Sequence, residues 1–423
     1  MLNLVGVALF ALGILISISL HEAGHLGTAK MFKMKATRYF VGFGPTLWSF
    51  RRGETEYGVK AIPLGGFVKI VGMTPQDDDV PKGEEHRAMW RFPVWKRTIV
   101  MAAGSTVHFV LGFLILWGVL AFAPLPDYDR LDTARPVVSG VAECVALEWE
   151  IDPATGRERA CQPGVDPASP AQRIGLQPGD VVTEINGSPV TEWADLTQRV
   201  RDAGGTTVSV TYQRDGATYT EQVALPLAER VRMDVPADTR LDEITDAHLE
   251  RVGVLGITPV IPETSHGPVA AVGLAVEQTG AMFKNIGTAI TQLPERVPQL
   301  WQAVFGGERD PETPMSVVGA SRIGGDLWEA GEVPSFLLLL AALNFFVGVF
   351  NLVPLLPLDG GHIAIAWFER ARSWLYVRFG KPDPGRVDYY KMMPVTYVVI
   401  FIMAGFFLLT LAADIVNPIR LPL

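Results

Sequence analysis

Along the 423 residues, four apolar stretches stand out against a polar, partly acidic background. Leu2 to Leu20 runs straight into His21, and Thr98 to Ala123, Phe336 to about Leu358 and Val395 to about Ala413 follow. Each is long enough as a helix to cross a hydrocarbon core of about 30 Å. The pattern predicts a polytopic α-helical membrane protein with about four transmembrane helices. The first stretch lacks the basic start and small-x-small site of a cleaved leader, so it is read as a retained span over 2–25.

Between the first two spans the period changes. Residues 35–70 are β-branched and aromatic, punctuated by glycine, and predict a membrane-associated β segment. Gly42, Gly44, Gly65 and Gly66 mark bulges or close backbone approach. An exposed edge there is suited to pairing with an extended substrate by strand addition. Residues 74–90 read as a polar, acidic loop, with Gln76, Asp77, Asp78, Asp79, Glu84 and Glu85.

Residues 124–164 read as an irregular lead-in segment. Residues 165–228 read as one α+β domain. Pro178-Gly179-Asp180, Asn186-Gly187 and Asp215-Gly216 supply its turns, and a helix is expected from about Trp193 to Arg201. Residues 229–334 predict a charged linker and then an amphipathic helix to about 304, lying on the membrane surface and interrupted at Pro294. The expected organisation is a first membrane half over 1–123 (spans 2–25 and 98–123), the middle region, and a second membrane half over 335–423 (spans 336–358 and 395–413).

Composition agrees with a membrane protein: 48% hydrophobic, 19% charged, with positive mean hydropathy. A net charge of -9 without a basic aromatic patch excludes a nucleic-acid partner. Basic residues concentrate between spans one and two (Lys30, Lys33, Lys35, Arg38, Arg97) and between spans three and four (Arg370, Arg372, Arg378, Lys381). Those segments are expected on the cytoplasmic side, with both termini and the middle region outside. Cys144 and Cys161 then fall in an oxidising compartment and are a disulfide candidate.

The chemistry sits at the end of the first apolar run, His21-Glu22-Ala23-Gly24-His25. Residues i and i+4 share a helix face, so two imidazoles can meet one metal ion with Glu22 beside them as a base. Far downstream, Pro354 and Pro357 break the third apolar run just before Asp359. An aspartate there is costly unless paired or metal-bound. His21, His25 and Asp359 make the three-ligand set of a catalytic site for one Zn2+ ion. His108 in the second span is as well explained by packing as by ligation and is not assigned to the metal.

The combination of His21-Glu22-Ala23-Gly24-His25, Leu358-Asp359-Gly360 and the middle α+β domain resembles the site-2 protease family, in its bacterial four-span branch. The 165–228 segment resembles a PDZ domain of the bacterial protease-associated type. The resemblance covers nearly the whole chain. It implies an intramembrane zinc metalloprotease that cleaves transmembrane substrates within the bilayer, usually after another protease has trimmed them. Anti-sigma factors are the typical substrates, with remnant signal peptides for some members. It also implies a multi-pass protein of the bacterial plasma membrane in contact with lipid, with an extracytoplasmic PDZ-like domain and a zinc site near the cytoplasmic side. Asn351 matches an asparagine eight residues before the aspartate that holds substrate or the oxyanion. Two positions depart from the family pattern: Phe346 replaces a second asparagine, with Asn344 nearby, and the second span reads Ala103-Gly104-Ser105 with His108. The competing reading is a non-catalytic PDZ-bearing membrane scaffold with a vestigial metal site. A zinc transporter fits less well, since the sequence offers one ligand cluster and no intramembrane polar path.

Overall fold

The computed structural model describes every residue except 1, 74–79, 81, 153–156, 237–238, 240, 308, 311–312 and 420–423. Gln76 and Asp77 to Asp79 of the acidic loop therefore lie outside the described residues. The chain forms two compact units, one of residues 1–123 with 266–423 and one of residues 124–265.

In the first unit, α1 (Leu2–Met31) buries Gly6, Phe10, Ile14, Ser17, His21, His25 and Ala29. Their spacing of three or four residues makes one stripe. The two histidines continue a packing face rather than leave it. Two long strands follow, β1 (Ala36–Arg52) and β2 (Thr55–Ile70), which pair antiparallel. Each bends: Gly42 and Gly44 (φ +91° and +83°) turn β1, and Gly65 (φ +129°) turns β2, in conformations that a Cβ disfavours. Residues 38–41 consequently face both 66–69 and 56–59 of β2. Helix α2 (Val94–Phe122) then buries Arg97, Val100, Gly104, His108 and Gly112 along a single stripe.

The second unit opens with β3 (Leu125–Pro126), β4 (Val138–Val141), β5 (Ile151–Asp152) and β6 (Arg157–Glu158). Next come α3 (Pro170–Arg173), β7 (Val181–Ile185), β8 (Ser188–Pro189), α4 (Trp193–Asp202), β9 (Thr207–Arg214) and β10 (Ala217–Ala224). It ends with β11 (Leu227–Val231), β12 (Leu249–Gly253), β13 (Ile257–Pro259) and β14 (Glu263–Thr264). The central sheet has the order β10-β9-β7-β8. Its hairpins turn on Asn186-Gly187 and Asp215-Gly216, all four residues at positive φ, as tight turns between right-twisted strands require. The core extends past 165–228 on both sides. β4 pairs with β13, and Val138 and Leu255 pack with Val182 and Val210. The expected lead-in and linker are thus partly strand, because their pairing partners lie far apart in sequence and local pattern does not register them. Cys144 and Cys161 are disulfide-bonded in this unit.

The first unit resumes with α5 (Gly267–Val304), α6 (Val317–Glu329), α7 (Val333–Asn351), α8 (Asp359–Arg378) and α9 (Tyr389–Val416). Three expectations are corrected here. Helix α5 runs unbroken through Pro294 and Pro298. Both prolines are exposed, four residues apart on one face, so each removes a single backbone bond without ending the helix. The third apolar helix ends at Asn351 rather than continuing to 358, because Pro354 and Pro357 follow at once. Helix α6 was not expected at all. Its buried face is Gly319, Ala320, Ser321, Ile323, Gly324, Gly325 and Leu327, in which small residues that give close contact but little hydropathy outnumber the two large apolar ones. It packs on α1, where a Cβ on Gly6 would lie 2.9 Å from Gly325 Cα.

Helices α1, α2, α7 and α9 have the length and apolar composition to cross a membrane. At 1.5 Å per residue they span from about 28 to about 45 Å. The molecule is a multi-pass membrane protein with mixed helix and strand content.

Candidate metal centre

The α1 stripe carries His21 and His25 inward, where they are 7% and 4% exposed. Their Nε2 atoms lie 3.1 Å apart. Asp359 Oδ2 closes the triangle at 3.4 Å from His21 Nε2 and 3.3 Å from His25 Nε2. Zinc–nitrogen and zinc–oxygen bonds of about 2.0–2.1 Å in a tetrahedron give ligand–ligand edges of about 3.3 Å. The three donor atoms therefore already have the separations that one zinc ion requires, and an imidazole–imidazole–carboxylate set suits it chemically.

Local structure explains how each ligand is aimed. His25 Nδ1 donates to the carbonyl of Val100 at 2.7 Å, which leaves the Nε2 lone pair facing the cluster. His21 Nδ1 is buried and among the described residues has no hydrogen-bond partner. Gly104 supplies the room both rings need. A Cβ there would stand 2.4 Å from His21 Cε1 and 2.5 Å from His25 Nε2. Asp359 is the first residue of α8, where the helix dipole favours a carboxylate. The glycines after it are demanded by packing. A Cβ on Gly360 would lie 2.2 Å from the Leu352 carbonyl oxygen, and one on Gly361 would lie 2.6 Å from the Leu355 carbonyl carbon. Asp-Gly-Gly thus lets the helix start press against the seven-residue loop that follows α7.

Glu22 is adjacent but not part of the triangle. Its Oε2 accepts the N–H of Val68 in β2 at 3.0 Å, so the β segment holds the carboxylate in place. A Cβ on Gly66 would lie 3.4 Å from Glu22 Cγ and 3.1 Å from the Phe40 oxygen. Of the four glycines singled out in the sequence, Gly42, Gly44 and Gly65 are bend points, and Gly66 is the one beside Glu22. Asn351 sits at the end of α7. Among the described residues its side chain makes no hydrogen bond to the cluster. The metal cluster found among the described residues consists of His21, His25 and Asp359 alone.

Sequence reasoning missed the contribution of α2. Its signal was the run of small residues Ala102-Ala103-Gly104-Ser105, which permits close approach. It also missed that His108 and Asn344 find each other. His108 Nδ1 meets Asn344 Oδ1 at 2.9 Å, both residues are buried, and Asn344 Nδ2 donates to the Leu340 carbonyl at 2.8 Å. The His108 ring centroid is 5.0 Å from that of His21. The two departures from the family pattern are therefore one paired feature.

With this geometry established, similarity to known proteins is informative. The model for Peptidase family M50 matches residues 9–381. The chain is 41% identical over 424 residues to zinc metalloprotease Rip1 of Mycolicibacterium smegmatis, covering 99% of this chain and 98% of the relative. It is also 41% identical over 422 residues to zinc metalloprotease Rip1 of Mycobacterium tuberculosis, covering 100% of both. A solved PDZ domain of an SdrC-like protein from Listeria monocytogenes matches 22% of this chain and 77% of its own. Its 20% identity and TM-score of 0.15 are too low to carry an argument.

Proposed function

The chain belongs to the M50 peptidases, the site-2 protease family of zinc metalloproteases, and on that premise we propose that it hydrolyses peptide bonds of transmembrane substrates within the bilayer. The observation that carries this reading is the convergence of His21, His25 and Asp359, with Glu22 beside them, at the ends of apolar segments. When bound by these three residues, one zinc ion supplies Lewis acidity that activates water and polarises a carbonyl. The remaining work belongs to side chains. Glu22 accepts a proton from the attacking water and delivers it to the leaving amine. The Val68 N–H fixes the carboxylate for both transfers. Asn351 is assigned to substrate or oxyanion support. The bent strands around Gly42, Gly44, Gly65 and Gly66 are assigned to holding the substrate extended, since a peptide bond within a helix is shielded by its own hydrogen bonds.

Charge distribution supports an orientation with both termini and the PDZ-like 165–228 region extracytoplasmic and the zinc site toward the cytoplasmic side of a bacterial plasma membrane. Anti-sigma factors already cut by another protease, and remnant signal peptides, are the substrate classes that fit an enzyme of this kind.

The test is Glu22→Gln in protein reconstituted into lipid. It should keep one zinc per chain and lose cleavage of a transmembrane substrate by about 10²–10⁴-fold. Cleavage at the parental rate would refute the assignment. The scaffold alternative makes the opposite forecast: purified protein without zinc, and normal cellular function after His21→Ala.

A further inference from the structure

The α2 stripe touches more than the histidines. One turn before Val100, Arg97 Nη1 donates to Glu369 Oε2 on α8 at 3.1 Å, and the two side chains are only 7% and 8% exposed. The other carboxylate oxygen of Glu369 accepts the Val387 N–H at 2.9 Å. Thr98 Oγ1 accepts from Trp367 Nε1 at 3.1 Å. Helix α8 is therefore fastened to the start of α2 by Trp367 and Glu369 on its side and Thr98 and Arg97 on the other. Helix α8 is also the element whose first residue is Asp359. The same short piece of α2, residues 97–104, thus holds His25 through the Val100 carbonyl, leaves space for both imidazoles at Gly104, and grips the helix bearing the carboxylate.

We propose that the Arg97–Glu369 ion pair is a positioning device for the zinc site: α2 acts as a gauge that sets the separation between the α1 histidines and Asp359. The proposal rests on the zinc reading above. Its physical basis is the stiffness of a helix together with the cost of stranding a buried charge. Glu369 stands ten residues, or about 15 Å, along α8 from Asp359. A guanidinium left buried without its carboxylate is strongly unfavourable, so the contact opens to admit water rather than persist. Opening at one end tilts α8, and metal sites tolerate ligand displacements of only about 0.2 Å. Breaking an ion pair that served merely as structural glue would lower overall stability and leave zinc affinity alone.

The experiment uses the full-length protein in detergent, with zinc affinity read by chelator competition and site geometry read from the visible spectrum of the Co2+-loaded form. Glu369→Gln retains an acceptor for Val387 and alters no ligand. It should weaken zinc by about 10–100-fold, the range seen when residues that orient metal ligands are removed, and shift the Co2+ bands. Pairing Arg97→Glu with Glu369→Arg restores the ion pair but offers Val387 no acceptor, so it should recover part of that affinity. Trp367→Phe, which removes the indole N–H to Thr98 along with part of the ring, should weaken zinc in the same direction and serves if the swapped pair does not fold. Parental zinc affinity and parental Co2+ spectra in Glu369→Gln and Trp367→Phe, whatever their melting temperatures, would overturn the proposal while leaving the zinc reading intact. A parental protein that binds no zinc would remove both.

Discussion

Gly104→Ala offers the sharpest separation of site from fold. The added Cβ would lie 2.4 Å from His21 Cε1, 2.5 Å from His25 Nε2 and 2.6 Å from His21 Nδ1. Carbon contacts are comfortable at about 3.5–4.0 Å, so both rings must retreat by roughly 1 Å. His25 resists, because its Nδ1 is tied to the Val100 carbonyl at 2.7 Å. The donor triangle of 3.1 to 3.4 Å then opens well beyond the tolerance of about 0.2 Å for a metal site. A loss of zinc affinity of at least about 100-fold, or about 2.7 kcal/mol, is expected. The fold should be indifferent, since alanine in a helix interior is favoured over glycine by about 1 kcal/mol, which offsets the local crowding. Chelator competition gives the affinity, and thermal unfolding of the zinc-free protein gives the stability. Zinc affinity within about threefold of the parent would refute the argument, because it would mean that the rings are not confined by α2.

Other consequences can be measured separately. Asp180 is almost fully buried. Burial would raise its pKa, but the two-pronged contact from Arg214 and the Gln177 N–H hold it below the usual carboxylate range. Because the folded value is the lower one, this contribution is complete above the unfolded pKa of about 3.9 and is lost as pH falls through the folded value. Protection factors around 177–214 in the intact protein, corrected for the intrinsic pH dependence of amide exchange, should fall on acidification, and Asp180→Asn should flatten that dependence. Cys144 and Cys161 are 17 residues apart, so replacing both by serine should lower the opening free energy of the 124–265 unit by about 3 kcal/mol, read by the same exchange measurement. Unchanged protection would show that the crosslink constrains nothing. Asn344→Leu leaves the buried His108 Nδ1 without its partner and should cost about 1–3 kcal/mol in thermal stability with zinc stoichiometry preserved.

The parts legible from sequence were those written in local pattern. Long apolar runs announced the four long apolar helices, and paired turn residues announced the hairpins at Asn186-Gly187 and Asp215-Gly216. The i, i+4 histidines needed only helical geometry. The approach of Asp359 to them had two local hints, the prolines before it and the cost of a lone carboxylate beside an apolar run. What escaped was carried by contacts between distant segments. Helix α6 hides behind glycine and alanine, which score as neutral while packing tightly against α1. The β4–β13 pairing links two stretches that look like linkers when read singly. The roles of Val100 and Val68 belong to backbone atoms, which no side-chain pattern can announce.

That distribution of contacts also bears on how the molecule is made. The histidines, Glu22, the β segment and the α2 scaffold are consecutive in the first part of the chain, whereas Asp359 opens a helix near its end. At ribosomal rates of about 5–20 residues per second, the early half waits in the membrane through most of synthesis with two imidazoles and no third ligand. On the zinc reading, two imidazoles alone would hold the ion weakly, so the site would stay incomplete while α8 is still to come. On that reading, docking of α8 is the step that would complete the metal site, after the histidine-bearing helix and its scaffold are already in place.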